Sequence, residues 1–119
     1  MPRQTNYSLD QLMELARKKL NKKYFGRYDS DYPLCLILNE IGECAVGDQD
    51  ETVRENARSF LLRMFLYKDV EIRSIAFYFL FAIKDLSPEH QLVLDNHSAM
   101  PKNAPLVKEV QDNLRSMAN

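Results

Sequence analysis

His90 and His97 are the first residues to test for chemistry, because Asp95 lies between them and Glu89 beside the first. Seven residues make two helical turns, so both imidazoles can share a face, which is how a metal site begins. A helical zinc pair, however, stands at i, i+4, and no cysteine pair lies near to complete the coordination. The two read as structural or solvated histidines, and no metal is expected. Asp48, Asp50 and Glu51 have the look of a cation loop, yet an EF-hand needs glycine at its sixth position and glutamate at its twelfth, and this segment has neither. Helix capping and solubility account for these acids.

Covalent catalysis needs an activated nucleophile. Cys35 falls in an apolar run and Cys44 lies among the acids Glu40 and Glu43, so neither has a base to activate it. Both read as small core residues. Nine residues apart on one expected helix, they stand about 13 Å from each other along its axis and do not bridge. Gly26, Gly42 and Gly47 belong to no phosphate-binding loop, and the carboxylates between residues 29 and 51 read as a solvated acidic face. These residue types at these spacings imply no enzyme and no cofactor.

Surface chemistry is concentrated in residues 16–28, ARKKLNKKYFGRY, where Arg17, Lys18, Lys19, Lys22, Lys23 and Arg27 are interleaved with Tyr24, Phe25 and Tyr28. Bases with exposed aromatics bind single-stranded nucleic acid through phosphates and stacking. A basic helix face whose rings turn inward gives the same string. The charge is also segregated along the chain: residues 1–28 carry seven bases and two acids, residues 29–52 seven acids and no base, and residues 53–119 nine bases and eight acids. That segregation can be satisfied within the fold, head to tail between copies, or by outside partners.

The elements that position these residues are all helical. Ser8 with Gln11 forms a capping box before a basic amphipathic helix over residues 8–24, in which Glu14 stands four residues ahead of Lys18. Pro33 opens a second helix over residues 33–44. A third spans residues 51–66, with Asp50 or Thr52 as cap and with Arg54, Glu55 and Arg58 outside its apolar stripe. After Tyr67 and Lys68, Asp69 caps a fourth helix, in which nine consecutive residues, 75–83, are apolar. Such a helix is expected at the centre, wrapped on every side; nine residues are too few to cross a bilayer, which takes about 17–25. Ser87 and Pro88 start a fifth helix to residue 95, residues 96–104 form a loop, and Pro105 opens a sixth. Nothing alternates as a strand does. The chain is therefore expected to be a single all-α domain, residues 1–119, able to bury roughly two thirds of its unfolded surface. Its polar N-terminal stretch implies a cytoplasmic protein without a membrane segment.

Three of the helices share a pattern. Val53-Arg54 is followed by Ala57 and Leu61, Ile72-Arg73 by Ala76 and Leu80, and Val107-Lys108 by Gln111 and Leu114. Each begins near an acid or a proline. An apolar residue with a small one four positions on makes a notched stripe that lets a neighbouring helix approach closely, with the base beside it free to reach acids at the start of an adjacent helix. Over residues 33–94 this pattern resembles the HEAT-like (armadillo-type) helical repeats, including those of phycobilisome-lyase-type scaffolds. The instances here are 19 and 35 residues apart, whereas HEAT repeats run about 40–47. The resemblance implies about six helices in antiparallel pairs stacked as an α-α superhelix; an irregular helical bundle is the alternative. It also implies a non-catalytic scaffold or adaptor that binds protein partners and self-associates through an open end of its stack. A small nucleic-acid-binding protein that uses the basic face of the first helix is the alternative function.

Overall fold

The computed structural model describes residues 7–20 and 34–118. The described residues form six α-helices, α1 (Leu9–Leu20), α2 (Leu34–Gly47), α3 (Glu51–Met64), α4 (Val70–Ala82), α5 (Pro88–Ser98) and α6 (Ala104–Ala118), with a 3-10 turn at Pro101–Asn103 before α6 and no strand. The last four residues of the expected first helix lie outside the described residues. None of the described helices is long and apolar enough to cross a membrane.

Helix starts follow local chemistry. The Ser8 amide donates to Gln11 Oε1 at 2.8 Å and the Gln11 amide to Ser8 Oγ at 3.2 Å, the reciprocal pair of a capping box. Asp50 caps α3 and Asp69 caps α4, each accepting two backbone amides of the first turn, and Ser87 caps α5 through the His90 amide. Helix α5 runs to Ser98, three residues beyond its expected end, and the expected loop over residues 96–104 shrinks to the 3-10 turn. No glycine or proline interrupts the chain between Pro88 and Pro101, so the helix continues until Pro101 prevents it.

The centre of the bundle is α2, not α4. Helix α2 packs against α1, α3 and α4, burying Ile37, Leu38, Ile41, Cys44 and Ala45. Gly42 lets α4 approach, because a Cβ there would clash with the Phe79 ring. Helix α4 is covered on one side by α2 and α3 and touched on another by α6, and its Tyr78 and Phe81 remain exposed. An apolar run of that length turns side chains all round the helix, and these neighbours do not surround it. Cys35 is exposed, whereas Cys44 is buried as expected.

Helices α3 and α4 share one local plan. Four residues after its aspartate cap, Arg54 donates from Nη1 to the Asp48 and Gln49 carbonyls at 2.7 and 3.4 Å. Arg73, four residues after Asp69, donates from Nη1 to the Tyr67 and Lys68 carbonyls at 2.8 and 2.6 Å. Both arginines thus reach backbone carbonyls of their own approach turn rather than the acids of an adjacent helix, because those carbonyls are unsatisfied where the chain leaves the previous helix. Ala57 and Ala76, at equivalent positions, are both fully buried.

Arg58 holds the other side of α3. It was expected to face outward but is buried, donating from Nε to the Ala45 carbonyl at 2.8 Å and from Nη2 to Asp85 Oδ1 at 3.0 Å. One guanidinium therefore joins the C-terminal end of α2 to the chain leaving α4. Next to it, Ser59 Oγ and His90 Nε2 lie 3.0 Å apart and attach α5 to α3.

Candidate functional site

The basic residues of α1 meet α3 over one aromatic ring. Phe60 is buried on α3, and the Arg17 guanidinium of α1 stands 5.7 Å from its ring centroid. Arg63, one turn further along α3, stands at the same 5.7 Å. Each cation gains about 0.5–1 kcal/mol from the ring face at an exposed site. Arg17 takes Glu14 as its ion-pair partner at 3.8 Å, instead of the expected Glu14–Lys18 pair. Lys18 is exposed and Lys19 half-buried. Lys22, Lys23 and Arg27, with Tyr24, Phe25 and Tyr28, lie outside the described residues. Arg63 escaped the sequence reading; its signal is a position three residues after Phe60, which places it on the same face.

The basic surface continues onto the turns at this end of the bundle. Arg73, from its place on α4, donates from Nε to Asn103 Oδ1 at 3.1 Å, and Asn103 Nδ2 donates to the His97 carbonyl at 2.7 Å. These bonds join the α3–α4 turn to the turn between α5 and α6. Lys68 and Lys102 are exposed on the joined turns, together with the apolar side chains Leu66, Tyr67, Val70 and Met100. The opposite end, where α2 and α4 finish and α3 and α5 begin, carries Asp48, Asp50, Glu51, Asp85 and Glu89 around one exposed base, Lys84, with Val46 exposed among them.

Two arrangements with the outline of chemistry are better explained by packing. Ser59, His90 and Glu55 stand in the order of a nucleophile, a base and its orienting carboxylate. Glu55 Oε1, however, is 4.0 Å from His90 Nδ1, beyond hydrogen-bond reach. Ser59 also sits inside α3, where backbone amides bond the carbonyl four residues back and none is left to stabilise an oxyanion. A cleft of about 430 Å³ separates α4, α5 and α6, floored by Phe77, Leu80 and Leu94. Three of its polar side chains are already engaged, Gln91 donating to Asp95 Oδ1 at 2.9 Å and Ser98 to the Leu94 carbonyl at 2.6 Å, and the remaining two, Lys84 and Gln111, supply no nucleophile or base pair. The two histidines separate, His90 meeting Ser59 and His97 standing edge-on to Phe65 at 6.4 Å. Among the described residues, no three histidine, cysteine or acidic side chains are grouped to hold a metal.

Comparison of the chain with protein-family models, with curated proteins and with solved structures finds no match in any of the three.

Proposed function

We propose that this chain is a non-catalytic protein-interaction module, an adaptor or scaffold element, that binds an acidic surface through its basic end. The observation that carries this reading is the pair Arg17 and Arg63, from two different helices, both poised over Phe60. Arg63 has no carboxylate within ion-pair distance among the described residues, so its charge is available to a partner. Exposed Leu66, Tyr67 and Val70 beside it supply the apolar contact that stable interfaces need. The shared plan of α3 and α4 supports placing the chain with HEAT-like helical-repeat modules, which stack helix pairs and bind along their surfaces.

The same bases also suit single-stranded nucleic acid, the second reading. Phe60, however, is covered by the guanidiniums and offers no face for a base, and exposed Tyr67 stands beside Asp69 and Glu71, whose carboxylates repel a phosphate backbone, which favours a protein surface. Immobilised full-length protein tests the choice. It is expected to retrieve protein from a lysate of its source at low salt, to release it as salt rises, and to lose it in the Arg17→Glu, Arg63→Glu double variant. A wild type that retrieves no protein overturns the reading, and one that retains only single-stranded oligonucleotide replaces it with the second.

A further inference from the structure

We infer that the acidic surface bound by the basic end is the opposite end of a second copy of this chain, docked head to tail; the inference rests on the interaction reading above. The two ends are complementary and face away from each other. Helix α3 runs between them, from Glu51 at the acidic end to Arg63 at the basic end, and its 14 residues span about 21 Å at ~1.5 Å per residue. At that separation the end groups do not pair within one molecule. Arg63, Lys68 and Lys102 at one end, and Glu51 and Glu89 at the other, make no ion pair among the described residues.

The apolar residues are divided in the same way. Leu66, Tyr67, Val70 and Met100 are exposed at the basic end, and Val46 projects among the carboxylates at the acidic end. Docking the acidic end of one copy on the basic end of the next brings opposite charges around a shared apolar contact, the arrangement that sets register and orientation at interfaces. The basic end also carries Asp69 and the exposed Glu71 beside Lys68. A uniformly anionic surface, such as a phosphate backbone or an acidic membrane, meets those carboxylates as repulsion. A protein end with a few discrete acids can avoid them. Because the two contacting surfaces differ, a docked pair still has one free end of each kind, and association proceeds by chain growth rather than stopping at a closed pair.

Sedimentation velocity on the full chain tests this with two charge-reversed variants. Lys68→Glu with Lys102→Glu alters only the basic end, and Glu51→Lys with Glu89→Lys only the acidic end. All four positions are exposed and none makes a side-chain hydrogen bond or ion pair among the described residues, so circular dichroism is expected to match wild type. Wild type is expected to sediment as species larger than a monomer at low salt, growing with concentration and returning to monomer as salt screens the contact. Each variant alone is expected to stay monomeric, and their equimolar mixture to associate again. A wild type that stays monomeric at low salt, variants that still associate, or a mixture that remains monomeric overturns the proposal. A monomeric wild type that still retrieves a different acidic protein overturns head-to-tail docking while leaving the interaction reading intact.

Discussion

Arg73 and Asn103 meet 3.1 Å apart across 30 positions of sequence, and both side chains are buried. The same guanidinium satisfies the Tyr67 and Lys68 carbonyls, so one residue closes the α3–α4 turn and attaches it to the turn before α6. Arg73→Ala leaves three acceptors without their donor and is expected to cost about 3 kcal/mol, at ~1–3 kcal/mol per stranded buried group. Arg54→Ala removes the matching device from a more exposed site with no counterpart of Asn103, and is expected to cost about 1 kcal/mol. Urea unfolding followed by circular dichroism measures both. Equal losses would show that the Asn103 contact contributes nothing.

Gly42 makes the opposite demand on its helix. Alanine is the better helix former by about 1 kcal/mol, so a solvent-facing Gly42→Ala would stabilise α2. Here the new Cβ collides with the Phe79 ring at its root as well as its edge, and α4 has to move away. Gly42→Ala is expected to lower stability by about 2 kcal/mol, within the usual range for overpacking. Gly47, at the end of the same helix, has open space around its Cα, and Gly47→Ala is expected to be neutral or slightly stabilising. Thermal melts of the two variants are expected to shift in opposite directions or to differ by several degrees; matching melts contradict the close α2–α4 approach.

Caps, whose partners lie two or three positions away, were legible, whereas the partners of the charged side chains were not: Arg54 and Arg73 turn to carbonyls of their own approach turns, and Glu14 takes Arg17 rather than Lys18. Ser8, Asp50, Asp69 and Ser87 act on amides two or three positions away; Ser8, Asp69 and Ser87 were identifiable as caps from their neighbours alone, and Asp50 as one of two candidates with Thr52. Arg58 was not, because the carbonyl and carboxylate that draw it inward belong to Ala45 and Asp85, 13 and 27 positions off. Helical periodicity could assign it only to the outer face. Arg63 was missed for the same reason: its worth depends on Arg17 of another helix reaching the same ring. Apolarity alone pointed to α4 as the centre, whereas Gly42, which adds no hydrophobicity, marks where α4 packs closely onto α2.

The Arg58–Asp85 ion pair is unequal in burial, with Arg58 3% exposed and Asp85 77%. Asp85→Ala removes a carboxylate that water already solvates, and is expected to cost under about 1 kcal/mol. Arg58→Ala also removes the donor to the Ala45 carbonyl and opens a cavity between α2 and α3, so the expected cost is about 3 kcal/mol. Denaturant midpoints of the two variants distinguish the cases. An Asp85 variant as unstable as the Arg58 variant would mean that the ion pair, rather than the carbonyl contacts and packing, holds this end together.

Sidedness of α4 is testable with two phenylalanines four residues apart. Phe77 is buried and stacks on Phe65 at 5.2 Å, whereas Phe81 touches Phe77 at 5.4 Å from an exposed position. Phe77→Ala is expected to cost about 3–5 kcal/mol and Phe81→Ala about 1 kcal/mol. If both unfold the protein, α4 is enclosed on all sides after all.

Ser59 and His90 provide the sharpest check on the non-catalytic reading, because their 3.0 Å contact is what an activated serine would show. Activation requires the imidazole to be oriented and the developing oxyanion to be stabilised, and here Glu55 stands 4.0 Å from His90 Nδ1 while the surrounding α3 amides are committed to the helix. Ser59 is therefore expected to remain unlabelled by a fluorophosphonate probe. Ser59→Ala is expected to cost about 1 kcal/mol of stability, since it removes one hydrogen bond between α3 and α5. Mass spectrometry of the intact protein after probe treatment decides the matter. An adduct on Ser59 that disappears in His90→Ala would establish a working nucleophile and reverse the assignment of this pair from latch to active site.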